Sequence, residues 1–333
     1  MQANGSARHR PALAGAAYLR LTLIEAEHLT KYYGRFPAIE DVSFNVGRGE
    51  IVGFLGPNGA GKTTTMRILA GFMPPTSGTV RVAGFDLLSQ SLEARRHIGY
   101  LPETVPLYRD MTVHSYLHFA ATIRGLKGSR RNHRIREVIS LCRIEDYART
   151  QIAKLSKGYR QLVGIAQAIV HEPRVLILDE PTIGIDPRQV VQIRQLIQHL
   201  GREHTIILSS HILPEVSMIC EKVMVMNEGK VVAVDYPENL LNGLEKIQRI
   251  EIEAQGPPEQ AIQKLRQIEG VQSVTAANTA ETVLFRVECT PGRDYRGQLA
   301  DVVVRSGLTL LGLKAREMSL EDIFLKLTIK KQE

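Results

Sequence analysis

The chain has 333 residues, of which 44% are hydrophobic and 23% are charged, and its formal net charge is +7. This length predicts about two domains, and this composition is typical of a globular protein. No run approaches the roughly 18 consecutive apolar residues of a membrane span, so work at a membrane would require another polypeptide to cross it. Three scattered cysteines argue against a disulfide framework and favour a reducing compartment.

Part of the positive charge is concentrated between residues 124 and 136. Such a cluster favours nucleic acid or anionic lipid headgroups when it forms a binding surface. A groove that binds single-stranded nucleic acid would have aromatic residues interspersed among the basic ones, and this cluster has none. We therefore interpret the cluster as a solvated helical face and predict no nucleic-acid partner. The cluster comprises Arg124, Lys127, Arg130, Arg131, Arg134 and Arg136.

The first elements follow a low-complexity start. Residues 1–20 are rich in Ala, Arg and Gly, and their apolar part ends at Arg20, which predicts a disordered tail rather than a signal peptide. A strand pattern occupies residues 21–26, a turn lies at 33–35, and residues 39–46 alternate like a second strand.

The next segment predicts a phosphate-binding loop. Residues 56–64 lie between an apolar run, 51–55, and a helical stretch, 66–70. Glycines let backbone N–H groups converge on phosphate oxygens, and the following helix N-terminus adds partial positive charge. Lys62 is expected to reach the β- and γ-phosphates, and the Thr63 hydroxyl to hold Mg²⁺. The loop comprises Gly56, Pro57, Asn58, Gly59, Ala60, Gly61, Lys62, Thr63 and Thr64.

A helical insertion and two buried strands come next. After a short strand at 79–84, the pattern is mostly helical over residues 112–169. The continuous apolar runs 175–178 and 205–208 are typical of buried parallel strands, and the helix 187–200 supplies their crossover. One apolar helical face in the insertion comprises Val113, Tyr116, Leu117, Ala120 and Ile123.

Two further motifs carry chemistry. Asp179 and Glu180 end the apolar run 175–178, where one carboxylate is expected to hold Mg²⁺ and the next to orient or deprotonate a water. Residues 155–161 precede a helix expected at 162–169 and present a serine and a glycine to an anion.

The pattern of predicted secondary structure changes near residues 236–239. Six elements follow in the order βαββαβ, which is ferredoxin-like, and a last helix at 319–325 has Ser319 as its expected N-cap. The six elements are expected at residues 248–253, 258–268, 271–275, 282–287, 294–306 and 308–313.

Together and in this order, the motifs resemble those of the ATP-binding subunit of an ATP-binding cassette (ABC) transporter over about residues 21–235. The resemblance assigns Tyr33 to adenine stacking, residues 56–64 to the Walker A loop and Glu103 to the Q-loop position. It assigns residues 155–159 to the signature motif, Asp179 to the Walker B aspartate and Glu180 to the catalytic glutamate. Gly184, Ile185 and Asp186 match the D-loop, and His211 matches the switch histidine.

The resemblance implies an α/β fold in which a P-loop ABC ATPase domain, with a mixed sheet and a helical subdomain, precedes a small C-terminal ferredoxin-like α+β domain. The expected divisions are a tail at 1–20, the ATP-binding domain at 21–236 with its helical subdomain at about 104–165, and the accessory domain at 237–333.

It further implies an ATPase that closes as a head-to-tail dimer of two copies around ATP and Mg²⁺. Glu180 and His211 would act in catalysis, and a separately encoded integral membrane permease would bind the subunit at the cytoplasmic face of the inner membrane. The expected metal ligands are Thr63, Glu103 and Asp179. Across the dimer interface, the expected ATP contacts are Ser156, Lys157, Gly158, Tyr159 and Asp186.

Three positions depart from the family pattern. Glu103 replaces a glutamine, Lys157 a glycine and Tyr159 a glutamine. One hypothesis is that the Lys157 cation offsets the negative charge that Glu103 adds near the γ-phosphate. The sequence around these residues, together with the C-terminal domain, is similar to ABC-2-type exporters of the gliding-motility and multidrug-export subfamilies.

Two other functions stay open from the sequence. An importer ATPase can also carry a ligand-sensing C-terminal domain, and some ABC ATPases act in translation or DNA repair without a membrane partner. The transported substrate is not encoded in this chain, because contacts to it would belong to the membrane subunit.

Overall fold

The structure is a computed structural model that describes residues 22–240, 248–278, 282–290 and 292–316. Its strands are β1 (Thr22–Tyr33), β2 (Phe36–Gly47), β3 (Ile51–Leu55), β4 (Ser77–Val82), β5 (Phe85–Asp86), β6 (Ile98–Leu101), β7 (Val175–Leu178), β8 (Thr205–Ser210), β9 (Lys222–Asn227), β10 (Lys230–Asp235), β11 (Gln248–Gln255), β12 (Val271–Asn278), β13 (Val283–Cys289) and β14 (Thr309–Arg316). Its helices are α1 (Lys62–Leu69), α2 (Ser91–Arg96), α3 (Val113–Ile123), α4 (Gly128–Leu141), α5 (Lys157–Ile169), α6 (Pro187–Leu200), α7 (Leu213–Ser217), α8 (Glu259–Arg266) and α9 (Arg296–Arg305).

A six-stranded mixed sheet lies at the centre, in the order β10-β9-β3-β8-β7-β6. Strands β9, β3, β8, β7 and β6 run parallel, and β10 pairs antiparallel with β9. Every residue of β3, β7 and β8 is buried, which explains why these strands are continuous apolar runs. The crossover through α6 joins β7 to β8 as predicted.

The parallel arrangement brings three loops together. The carboxyl ends of β3, β8 and β7 are neighbours, so the segments that follow them meet at one edge of the sheet. These segments begin with Gly56, His211 and Asp179. In open α/β sheets this edge is where ligands bind.

A four-stranded antiparallel sheet, ordered β2-β1-β4-β5, forms a second layer. Strands β1 and β2 form a hairpin in which Tyr33 is the register partner of Phe36. Gly34, in the tight turn between them, has a φ of +61°, which a glycine adopts without strain. The core between the two sheets includes Phe54, Met66 and Ile98.

The predicted helical insertion is formed by α3, α4 and α5. Val113, Leu117, Ile135 and Leu162 join one continuous core with residues of the central sheet. The prediction for Ile123 was wrong, since this last residue of α3 is 68% exposed.

Helix α5 is longer than predicted. It begins at Lys157 rather than at Leu162, because the Ser156 hydroxyl accepts a hydrogen bond from Tyr159 N and caps the first turn. The signature residues from Lys157 onward are therefore helical.

Several residues of the basic cluster hold the helical insertion together or join it to neighbouring segments. The buried Arg134 donates to the carbonyls of Ile169 and Val170 at the end of α5. Arg130 pairs with Glu172 at 2.8 Å, and Arg124 donates to a carbonyl of α2. Much of the positive charge between residues 124 and 136 thus has a structural partner, and the interpretation as a purely solvated face was wrong for the buried Arg134.

Residues 248–316, where described, have the order β11-α8-β12-β13-α9-β14 and a sheet ordered β12-β13-β11-β14. All neighbouring strands are antiparallel, so the ferredoxin-like prediction is confirmed. Ile252 and Phe285 pack with Leu265 and Leu299 of the two helices. The helix expected at 319–325 and the tail at 1–20 lie outside the described residues.

In the part of the chain that the structure describes, there is no helix with the length and apolar character that crossing a membrane requires.

Candidate functional site

The loop after β3 is shaped by glycines at two positions. Gly59 and Gly61 have φ angles of +82° and +97°, in the left-handed region. A Cβ at Gly61 would lie 2.6 Å from Ile39 Cγ2 and 2.7 Å from the Ala38 carbonyl oxygen, so a side chain has no room there. The loop is therefore held close to the β2 strand in a conformation that requires glycine.

Lys62 closes this loop on itself. It is the first residue of α1, and its ammonium donates to the carbonyls of Gly56 at 2.7 Å and Pro57 at 3.1 Å. The same nitrogen lies 3.5 Å from Glu180 Oε1, and both side chains are almost completely buried. A buried charge is tolerated only when it is paired, so the loop, Lys62 and Glu180 form one unit.

Asp179 is hydrogen-bonded through only one of its two carboxylate oxygens among the described residues. Its Oδ1 accepts from Ser209 Oγ at 2.6 Å and from Thr63 Oγ1 at 3.2 Å. Among the described residues, its buried Oδ2 has no hydrogen-bond partner. Burial raises the pKa of Asp179, and the nearby negative charges of Glu103 and Glu180 raise it further against the two hydrogen bonds.

This arrangement fits a divalent cation. Mg²⁺ prefers oxygen ligands, and both the Thr63 hydroxyl and the unpartnered Oδ2 of Asp179 offer them in one place. A cation would also counter the three carboxylates that meet here, Glu103 being the third beside Asp179 and Glu180. Thr63, Glu103 and Asp179 stay the predicted metal ligands.

Glu180 and His211 meet across the ends of β7 and β8. The Nδ1 of His211 lies 3.0 Å from Glu180 Oε2, where Nδ1–H donates because a carboxylate only accepts. The backbone of Glu180 has a φ of +47°, an uncommon conformation for a residue with a side chain. Its N–H donates to Ser209 Oγ at 2.9 Å.

A cleft of about 400 Å³ opens beside Glu180 and the loop that follows β3. The exposed rings of Tyr33 and Phe36 lie at its edge, where they are partners across the β1–β2 hairpin. Glu103 lies in the exposed loop after β6. The cleft is lined by Tyr33, Phe36, Ala38, Asn58, Gly59, Ala60, Gly61, Lys62, Thr63, Thr64, Glu103, Glu180 and Ile183.

The remaining predicted residues lie together but outside this cleft. Ser156 caps α5, and Asp186 caps α6 by accepting from the N–H groups of Arg188 and Gln189 at 3.1 Å. The Gln189 amide donates to Ser156 Oγ at 3.3 Å and so joins the two helix starts. A single chain therefore separates its phosphate loop from its signature motif.

The unusual signature residues have partners in their own chain. The Lys157 ammonium lies beside Gly184, where a Cβ would come within 2.5 Å of it. The Gln189 amide lies against Gly158, where an added Cβ would displace it. Tyr159 packs against Tyr147 with ring centroids 4.1 Å apart.

Sequence reasoning missed Phe36 and Ser209. Phe36 had a readable signal, since an aromatic residue follows Tyr33 across a tight turn. Ser209 had none beyond its place two residues before His211. Only the pairing of β7 with β8 shows that its hydroxyl donates to Asp179 and accepts from the Glu180 backbone.

We expect Ser209→Ala to lower the free energy of unfolding by about 1–3 kcal/mol, because the buried Glu180 N–H loses its acceptor. Chemical denaturation in urea measures the difference. Ser140→Ala, the same change at an exposed position, is the control and should stay within about 0.5 kcal/mol of the unchanged chain. Coincident curves for Ser209→Ala and the unchanged chain would contradict the assigned bridge.

The chain is similar to known proteins in sequence and fold. Residues 39–183 match the ABC transporter family. Over 304 residues, 91% of this chain and 99% of the relative, the chain is 32% identical to the uncharacterized ABC transporter ATP-binding protein YxlF of Bacillus subtilis (strain 168). It is 34% identical to the bacitracin transport ATP-binding protein BcrA of Bacillus licheniformis, over 92% of this chain and 97% of that one.

Among solved structures, the chain is similar to a dimeric bacterial ABC transporter cassette, with a TM-score of 0.60 and 25% identity. The similarity covers 65% of this chain and 99% of the cassette. The predicted P-loop ABC ATPase fold is therefore confirmed. From its sequence relatives and its fold, the chain belongs to the ABC transporter family, as an ATP-binding subunit.

Proposed function

We propose that this chain hydrolyses ATP for an ABC-2-type exporter, as one of two identical subunits bound to a separately encoded permease at the cytoplasmic face of the membrane. One observation carries the proposal. Lys62, Asp179, Glu180 and His211 converge at one sheet edge, whereas the signature residues around Ser156 lie elsewhere. This separation supports a composite site, of which each chain supplies two halves and a second copy completes both.

ATP binding begins with an exchange of partners at Lys62. In the structure its ammonium contacts Gly56, Pro57 and Glu180. The β- and γ-phosphates offer it stronger acceptors, and the loop N–H groups and the start of α1 add further donors. Tyr33 and the neighbouring Phe36 offer aromatic faces for the adenine.

Thr63 and Asp179, with Glu103 beside them, would hold Mg²⁺, which neutralises charge on the phosphate oxygens when bound. Glu180, released from Lys62, orients or deprotonates the attacking water. His211 fixes the Glu180 carboxylate through Nδ1 and contacts the γ-phosphate as its charge develops.

A second copy completes each site in head-to-tail fashion. Ser156 and Gly158, with Lys157, Tyr159 and Asp186 around them, would lie over the ATP of the partner subunit. This requires Ser156 to exchange its contact with Gln189 for phosphate oxygens. The dimeric form of the similar cassette and the transport role in the name of the bacitracin transport relative support the proposal.

An exposed apolar surface offers a place for the permease. Phe72 is 73% and Leu92 69% exposed, and Phe72 lines a cavity of about 230 Å³ that reaches the start of α2. Ile123 is also exposed, and the next residue, Arg124, donates to a carbonyl of α2. Apolar patches of this kind mark interaction sites in proteins.

We expect Glu180→Gln to retain ATP binding while lowering ATP turnover by at least 100-fold, because an amide cannot accept the proton of the water. The variant should also accumulate as an ATP-bound dimer in size-exclusion chromatography. Steady-state phosphate release gives the turnover. Near-normal turnover would refute the role assigned to Glu180.

The composite site is tested by mixing two inactive variants, Lys62→Ala and Ser156→Arg. Half of randomly formed dimers are mixed, and each mixed dimer has one intact site, so ATPase activity should return to at most about a quarter of normal. As a control, Lys62→Ala is mixed with the Lys62→Ala/Ser156→Arg double variant, which leaves no intact site. No recovery in the first mixture would mean that the site is not shared.

The permease is tested by co-purification. We expect the tagged chain to retain an integral membrane protein from a detergent extract of its source cells, and Leu92→Asp to lose it, because a buried unpaired charge destabilises an apolar interface. Val304→Asp, the same charge at an exposed apolar residue of α9, should retain it. If the unchanged chain brings down no membrane protein, the transporter assignment fails.

A further inference from the structure

A hydrogen bond between Thr182 and Glu215 joins the two loops that carry the catalytic pair. Thr182 is buried and follows Glu180 by two residues, and Glu215 lies in α7, just after His211. Thr182 Oγ1 donates to Glu215 Oε2 at 2.6 Å. No role for either residue follows from the motifs in the sequence.

The loop that Thr182 belongs to is strained. With a φ of +47°, Glu180 occupies a region that persists in a non-glycine residue only when its surroundings impose it. Three contacts do so: Glu180 N donates to Ser209 Oγ at 2.9 Å, Ile183 N donates to Glu180 O at 3.2 Å, and the Thr182 side chain is held by Glu215.

Glu215 is itself anchored. Its neighbours Leu213 and Val216 are buried in the main core, and Val216 lies so close to β3 that a Cβ at Gly53 would overlap it. The carboxylate of Glu215 therefore stands at a fixed place. A hydroxyl donating to an ionised carboxylate also forms one of the stronger hydrogen bonds in proteins.

The two loops are thus joined twice. His211 Nδ1 contacts Glu180 Oε2, and four residues later along the chain Glu215, in α7, accepts the hydrogen bond of Thr182. The chain segments 180–182 and 211–215 close a ring through these two bonds. Within a closed ring, neither Glu180 nor His211 can turn without breaking a bond.

We propose that Glu215 is a positioning residue for ATP hydrolysis, which acts through Thr182 to hold Glu180 in its left-handed conformation and facing His211. The proposal rests on the hydrolytic function proposed above. It predicts that the Thr182–Glu215 bond serves the chemical step rather than ATP binding, because neither residue lines the nucleotide cleft.

The test compares kcat and KM for ATP in a series of variants. Thr182→Val removes the donor at nearly constant shape, and Glu215→Met removes the acceptor. Each should lower kcat by about 10-fold to 100-fold, the range that a lost hydrogen bond to a charged group implies, with KM within about twofold of normal. Thr182→Ser keeps the hydroxyl and should retain kcat.

Two further measurements separate positioning from general stability. The Thr182→Val/Glu215→Met double variant should be no slower than the slower single variant, because both remove the same bond. Affinity for a non-hydrolysable ATP analogue should stay unchanged throughout. Glu203→Met, the same exchange at an exposed position, is the control and should retain kcat.

Three results would overturn the proposal. Normal kcat in Thr182→Val or Glu215→Met would show that the bond is not needed. Additive losses in the double variant would show that the residues act separately. A parallel fall in kcat, analogue affinity and the free energy of unfolding would show that they only maintain the fold. If Glu180→Gln also turns over normally, the proposed function itself fails.

Discussion

The site depends on one constraint, which is that Lys62, Asp179 and Glu180 are ionisable and almost completely buried. Buried charges must find partners, because leaving one unpaired costs several kcal/mol. Lys62 meets this need with two loop carbonyls and Glu180, and Asp179 with the hydroxyls of Ser209 and Thr63. These contacts hold the three groups together at one sheet edge, where His211 also contacts Glu180.

Some polar atoms of the site have hydrogen-bond partners within the chain, and others are available to a ligand. Asp179 Oδ2 has no partner among the described residues, and the Lys62 ammonium can exchange two carbonyls for phosphate oxygens. Such a site is already organised for a cation and an anion together, so binding requires exchange of contacts rather than construction of the site. The signature residues lie outside the cleft of their own chain. A second subunit would therefore be needed to place signature residues against the bound nucleotide.

Several features of the fold and site could be anticipated, and the reasons differ. Burial on both faces makes β7 and β8 continuous apolar runs, so both strands could be predicted from the sequence. The loop from Gly56 to Thr64 could be predicted from its glycines and its lysine. The apolar face expected for α3 failed at Ile123, because periodicity does not tell where a helix leaves the core. The predicted start of α5 was five residues too late, because the sequence did not show that Ser156 caps the helix.

The sequence by itself indicated the loop that can bind phosphate, because its glycines, Lys62 and Thr63 follow one another closely along the chain. It also determined the order of secondary structure through apolar periodicity. Only the tertiary structure decided which groups meet. Ser209 reaches Asp179, and Glu215 reaches Thr182, because β7 and β8 are adjacent and parallel. Contacts between residues about 30 positions apart depend on strand pairing, and no local pattern encodes them.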